Sequence, residues 1–93
     1  MQLRVERGEL TRTLERLGAR VTQPCQGNFV LATGLDASWT RAAAASLGVG
    51  LRAFPDEPHL SDALRISLPG DEAAFGRLSA ALEAALAPRA VLF

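Results

Sequence analysis

Residues 63–68 alternate strictly between large apolar side chains and small or charged ones, and this alternation constrains the fold more than any other feature of the chain. Leu64, Ile66 and Leu68 fall on one face of an extended strand, and Arg65 falls on the other. A strand of this kind packs one face against a core and leaves the opposite face open. The pattern therefore predicts a sheet that is covered on one side and carries an arginine on the other.

Three segments have the apolar spacing of helices. We predict the first over residues 1–17, ended by Gly18, and the second from an N-cap at Asp36 to Leu47. The third begins at residues 69–72 and ends before Pro88. The stripes expected to face the core are Leu3, Leu10, Leu14 and Leu17 in the first helix, Leu35, Trp39, Ala43 and Leu47 in the second, and Phe75, Leu78, Leu82 and Leu86 in the third.

The remaining apolar runs are typical of strands. Residues 29–33 and 49–54 are short and apolar, and residues 19–21 form a short extended piece. The order is helix, strand, helix, strand, strand, helix, and residues 89–93 are either a last strand, a tail or the first strand of a following domain. Residues 1–93 are thus predicted to form one α+β domain with two layers, in which helices cover one face of a small, mostly antiparallel sheet. Arg52, Arg65 or both would lie on the uncovered face.

Charge and apolar content exclude several classes of function. The chain has ten basic and ten acidic residues, and every basic one is arginine. A formal net charge of zero gives no general attraction to nucleic acid or to an anionic membrane, and no apolar run approaches the roughly 20 residues of a membrane helix. The single cysteine, Cys25, cannot form an internal disulfide, and the N-terminus lacks the pattern of a signal peptide, so we expect a cytoplasmic protein.

Arg65 and Arg52 are the candidate ligand-binding residues. Each interrupts an apolar strand, and a guanidinium on a rigid strand donates two parallel hydrogen bonds to a carboxylate or a phosphate. A solvated surface arginine would produce the same pattern, so both interpretations stay open.

Other chemically capable residues indicate structure rather than catalysis. His59, Ser61 and Asp62 are expected in a loop, Cys25 lacks a neighbouring base and is expected to be inert, and Trp39 is expected in the core. One histidine and one cysteine without ligand spacing predict no metal site.

Three segments in sequence order resemble a known family. They are "LGARVTQPCQGNFVLA", "LGVGLRAF" and "LSDALRISLPGDEAAFGRLSAAL", and the similarity extends over residues 5–86. Together they resemble the C-terminal small domain of histidinol-phosphate aminotransferase-like enzymes, which are fold-type I enzymes that use pyridoxal phosphate (PLP). The segment "LPGDEAAF" looks closer to the related threonine-phosphate decarboxylases of cobalamin synthesis, so the amine substrate stays open.

The resemblance implies a role for three residues. Arg65 matches the arginine that binds the substrate's acidic group, Arg52 matches one that helps to hold a substrate phosphate, and Asn28 matches an asparagine at the substrate-facing edge. Such a domain closes over a large PLP-binding domain, in the same chain or a separate one, around a small anionic substrate. The chemistry needs a lysine that links to the cofactor and moves the proton. This chain has no lysine, so we expect no catalytic residue and no bound cofactor in it.

Two alternatives belong to other functional classes. The chain could be a stand-alone, non-enzymatic domain that binds an anion or a partner protein, which fits the absence of lysine. It could also be an adaptor that precedes a phosphatase, because residues 89–93 resemble the first apolar strand of haloacid-dehalogenase-type phosphatases. The same resemblance would fit a piece cut from a fusion of an aminotransferase-like enzyme with such a phosphatase. In the adaptor and in the fusion alike, residues 89–93 would belong to the next domain.

Overall fold

The computed structural model describes residues 2–22 and 28–86, which form three α-helices and one four-stranded antiparallel sheet. The helices are α1 (Gln2–Arg16), α2 (Ala37–Ser46) and α3 (Glu72–Leu86), and the strands are β1 (Arg20–Thr22), β2 (Phe29–Thr33), β3 (Arg52–Ala53) and β4 (Leu64–Ser67). The strands lie in the order β1-β2-β4-β3. The predicted α+β class is confirmed, whereas Cys25 and the strand predicted at residues 89–93 lie outside the described residues.

The sheet buries one face and leaves the other uncovered. Val30 and Ala32 of β2 are fully buried together with Leu64 and Ile66 of β4, and they share one core with buried residues from all three helices. The alternate residues of both strands are half-buried or exposed. Because each fully buried Val, Leu or Ile side chain contributes about 1.5–3 kcal/mol, the alternation determines which side of the sheet the helices cover. None of the helices within the described ranges is long and apolar enough to cross a membrane.

Helix α2 begins where it was predicted but buries a different face. The Asp36 carboxylate accepts a hydrogen bond from the Trp39 N–H at 3.1 Å, which caps the helix. The predicted stripe is wrong, because Trp39 is 44% exposed and Leu47 is 54% exposed. The buried residues are Ala37, Thr40 and Ala44. Both stripes have helical spacing, and the one with smaller side chains faces inward where α2 contacts α3 and β3.

Strand β3 is much shorter than the predicted strand over residues 49–54. Only Arg52 and Ala53 pair with β4. Gly48 has φ +85° and closes α2, and the Val49 N–H donates to the Ala44 carbonyl at 2.9 Å, so the chain is still part of the helix end at residue 49. Pro55 has no N–H with which to continue a ladder. The edge of the sheet next to Arg52 is therefore short.

Glu6 is a buried acid that the apolar periodicity of α1 gave no reason to expect. It is fully buried, and its carboxylate accepts hydrogen bonds from the side-chain amide of Gln2 and from the backbone N–H of Gly70 at 2.9 Å. Gly70 has φ +71° in the turn between β4 and α3, and Leu3 packs against it. The prediction that Leu3 faces the core is wrong, because Leu3 is 39% exposed and contacts this turn instead. Glu6 thereby joins the start of α1 to the turn before α3.

Replacing Glu6 is expected to destabilise the domain. The change Glu6→Ala removes two hydrogen bonds to a buried carboxylate, and we expect it to lower the free energy of unfolding by about 2 kcal/mol. Urea denaturation followed by circular dichroism measures this loss. The matched control is Glu9→Ala on the exposed face of the same helix, for which we expect a change within about 0.5 kcal/mol. Equal effects of the two substitutions would contradict the structural role of Glu6.

Removing the hydroxyl of Thr40 is expected to stabilise the domain. Thr40 is fully buried, and its Oγ1 has no hydrogen-bond partner among the described residues. Because a buried hydroxyl without a partner is costly, Thr40→Val should raise the free energy of unfolding by about 1 kcal/mol. Thr13→Val, at a half-exposed position of α1, serves as the control in the same urea experiment. A loss of stability in Thr40→Val alone would mean that the hydroxyl is hydrogen-bonded in solution.

Candidate anion-binding site

The two candidate arginines lie directly opposite each other on neighbouring strands. Arg52 of β3 pairs with Arg65 of β4, and Arg65 pairs on its other side with Leu31 of β2, which pairs with Thr22 of β1. These four residues form one row across the uncovered face of the sheet. The sequence left open whether one arginine or both would lie on this face, and the register places both there.

Arg65 is held by an aromatic ring on the adjacent strand. Its guanidinium carbon lies 4.4 Å from the centre of the Phe29 ring, within the range of a cation–π contact. Phe29 pairs with Ser67, so it is a diagonal neighbour of Arg65. Arg65 as a whole is half-buried, but its Nε atom is fully buried and has no hydrogen-bond partner among the described residues. Arg65 is therefore oriented by the protein, while one of its donors is left without an acceptor.

Arg52 is more exposed and lies beside an open groove. Its guanidinium carbon is 5.8 Å from the centre of the Phe54 ring. The groove has a volume of about 480 Å³ and is lined by Arg41, Leu51, Arg52, Ala53 and Pro55. A small anion can therefore reach Arg52 from the free edge of the sheet.

Neither arginine has an acidic partner within the part of the chain that the structure describes. The ion pair found there joins Arg16 and Glu83 at 2.6 Å, between α1 and α3. The hydrogen bond from Arg16 lowers the pKa of the Glu83 carboxyl, and the same bond raises the pKa of Arg16. Arg52 and Arg65 instead face one another, an arrangement that destabilises a strand pair. Two unneutralised cations on one face form a site that an anion would stabilise.

Asn28 lies near this row but not within it. It is an exposed residue just before β2, and its carbonyl accepts a hydrogen bond from the Leu68 N–H at 2.6 Å. Asn28 is three positions before Leu31, the residue opposite Arg65. Three residues of extended strand separate Asn28 from the row by about 10 Å. The structure therefore brings Arg52 and Arg65 together and leaves Asn28 at the end of the sheet.

The other chemically capable residues lie at turns or form hydrogen bonds to the backbone. His59 is exposed in a single 3₁₀ turn, and Ser61 follows that turn. The Asp62 carboxylate accepts a hydrogen bond from the Gly34 N–H at 2.9 Å and so ties together two connections. Trp39 donates its indole N–H to the Ala85 carbonyl at 3.3 Å, along the surface of α3. No group of three or more histidine, cysteine or acidic residues able to hold a metal occurs within residues 2–22 and 28–86.

Two residues of the site were not predicted from the sequence. Phe29 was assigned to a buried strand, and its ring lies under Arg65 because β2 and β4 are adjacent in the sheet. Arg41 belongs to α2 and reaches the groove only because α2 packs against β3. Neither contact has a local sequence signal, since both depend on pairing between distant segments.

The residues present do not fit PLP as a cofactor of this chain. The chain contains no lysine, so no side chain can form the covalent link that the cofactor requires. No protein-family model matches the chain, and no curated protein is detectably similar to it. The resemblance to aminotransferase small domains therefore stays a prediction.

Removing one of the facing arginines is expected to relieve repulsion. We expect Arg52→Gln to raise the free energy of unfolding by about 0.5 kcal/mol at low salt, because like charges directly opposite each other destabilise a strand pair. The gain should disappear at about 1 M salt, where the Debye length is near 3 Å. Urea denaturation at the two salt concentrations measures it. The control is Arg20→Gln, which removes an arginine opposite Thr33 on the same face, and a loss of stability specific to Arg52→Gln would contradict the expectation.

Proposed function

We propose that this chain is the substrate-binding small domain of a PLP-dependent aminotransferase resembling histidinol-phosphate aminotransferase, and that it is not catalytic alone. The observation that supports the proposal is the pair of arginines, Arg52 and Arg65, facing each other on the uncovered side of the sheet. The order of the resembling segments in the sequence is its second support. The chain would act in the cytoplasm, without nucleic-acid or membrane partners.

In this function Arg65 is the main substrate-binding residue. It lies on β4, which has a neighbouring strand on both sides, so its backbone is held firmly. Phe29 limits the motion of the guanidinium, and Arg65 has no acidic partner among the described residues, so a substrate's acidic group would supply its counter-charge. Preorganising a cation in this way reduces the entropy lost when substrate binds. Arg52 adds a second charge to the same face and favours substrates that carry a phosphate or a second carboxylate.

The catalytic chemistry belongs to another domain. A lysine and a cofactor site would be supplied by a large PLP-binding domain, in the same chain or a separate one, that packs against the uncovered face. Closure of the small domain over this partner would orient the substrate and exclude water. Asn28, exposed at the end of β2, would lie at the edge of that cleft.

The alternative is a stand-alone domain that binds a small anion or a partner protein without catalysis. The absence of lysine favours it, because a chain without lysine cannot carry out the PLP chemistry alone. The arginine pair, in contrast, needs no large domain to bind an anion. The adaptor hypothesis depends on residues 89–93, which lie outside the described residues.

Anion binding through Arg65 is the first test. We expect inorganic phosphate and histidinol phosphate to bind the purified chain, and Arg65→Gln to weaken binding of both about tenfold, which corresponds to 1.4 kcal/mol. Isothermal titration calorimetry at low salt measures the affinities, and Arg20→Gln controls for the general loss of one positive charge. Equal affinities of Arg65→Gln and the unmodified chain would refute the assignment of Arg65.

The aminotransferase role needs a separate measurement. The protein isolated from its native gene, with any flanking domains, should show the absorbance of lysine-bound PLP, and borohydride reduction should fix the cofactor covalently. Anion binding without PLP in that protein would favour the stand-alone alternative.

A further inference from the structure

We propose that Arg41 is a further anion-binding residue and that, together with Arg52, it forms a subsite for a doubly charged tetrahedral group at the free edge of β3. The inference rests on the proposed function, because it identifies the kind of anionic group that the substrate carries. It places that group at the outer edge of the sheet, while Arg65 binds a second acidic group nearer the centre.

The groove at this edge has the composition of a small-anion site. Its lining includes two arginines, Arg41 and Arg52, and no acidic residue. Both arginines are exposed, and neither forms a hydrogen bond or ion pair with another described residue. The rest of the lining comes from Leu51, Ala53 and Pro55. Its volume of about 480 Å³ is ample for a phosphate ester with part of its carbon skeleton.

The hydrogen-bond pattern of the sheet shows which backbone groups face this groove. The Leu68 N–H donates to the Asn28 carbonyl across the pair of β2 and β4. Backbone groups in an antiparallel ladder alternate in direction from residue to residue, so Arg65, three positions before Leu68, directs its N–H and C=O at β3. Because Arg65 is opposite Arg52, the backbone groups of Arg52 point back at β4.

The residues on either side of Arg52 therefore direct their backbone groups outward. Leu51 and Ala53 both line the groove. Leu51 lies just outside β3, and its N–H forms no backbone hydrogen bond within the described residues. The alternation directs the Ala53 N–H to the same free edge. These N–H groups can donate to an anion that the guanidiniums attract. The carbonyl groups of the same residues point out of the same edge, and their partial negative charge repels an anion. Arg41 and Arg52 must therefore provide most of the attraction.

A compact dianion fits this edge better than an acidic peptide. A peptide that extends a sheet needs a run of free backbone groups, but β3 has two residues and Pro55 follows it closely without an N–H. Two guanidiniums around one small groove can share the charge of a single phosphate, whose several oxygens accept from both. A carboxylate carries one charge, which one arginine suffices to bind.

The test compares two anions that differ in charge and little in shape. Sulfate carries two negative charges, and methanesulfonate is a tetrahedral anion that carries one. Isothermal titration calorimetry on the full chain at low salt gives both affinities for the unmodified protein, for Arg41→Gln and for Arg41→Lys. The control is Arg12→Gln, which removes an exposed helical arginine outside the groove. Circular dichroism establishes that each surface variant is folded.

We expect Arg41→Gln to weaken sulfate binding about tenfold and to change methanesulfonate binding less than threefold. Arg41→Lys should bind sulfate more tightly than Arg41→Gln, because lysine keeps the positive charge, but less tightly than the unmodified chain, because it lacks the planar fork of the guanidinium. If Arg41→Gln binds sulfate as tightly as Arg12→Gln while Arg65→Gln loses phosphate binding, the role of Arg41 is refuted and the proposed function stands. If the unmodified chain binds none of these anions, the proposed anion site fails together with this subsite.

Discussion

The pairing of β2 with β4 is the contact on which the rest of this domain depends. These two strands occupy the middle of the sheet, and their inward residues Val30, Ala32, Leu64 and Ile66 are fully buried against the helices. Side chains in a strand alternate between faces, so the same pairing directs Phe29 and Arg65 to the opposite side. The core and the candidate site are therefore two faces of one strand pair, and a shift of one residue in register would exchange them.

The uncovered face carries features that do not favour stability. Arg52 and Arg65 are directly opposite each other without an acidic partner among the described residues. A sheet optimised for stability alone would place opposite charges or β-branched residues at these positions. Such costs commonly coincide with binding sites, where the ligand supplies the missing interactions. The repulsion between the two arginines destabilises the free sheet, and an anion bound between them would remove it. This is the physical basis for an anion site here.

The contacts that complete the domain and the site involve residues far apart in the sequence. Glu6 reaches the Gly70 N–H, and Arg41 approaches β3 from α2. The periodicity of α1 and α2 could not predict these contacts, because it reports which residues share a face and not what that face meets. The inward face of α2 was misassigned for the same reason, since two stripes on that helix have suitable spacing and packing against α3 and β3 selected the smaller side chains.

By itself, the sequence determined the class of the fold, most of the element boundaries and the outward direction of Arg65. These follow from local physics: the two-residue period of a strand, the capping carboxylate of Asp36 and the left-handed glycine after each of the first two helices. Only the tertiary structure decided that Arg52 is opposite Arg65, that Phe29 lies beside its guanidinium, and that Arg41 shares a groove with Arg52. Those relations depend on strand order and helix packing, which arise from burial summed over the whole chain and leave no trace in any single segment.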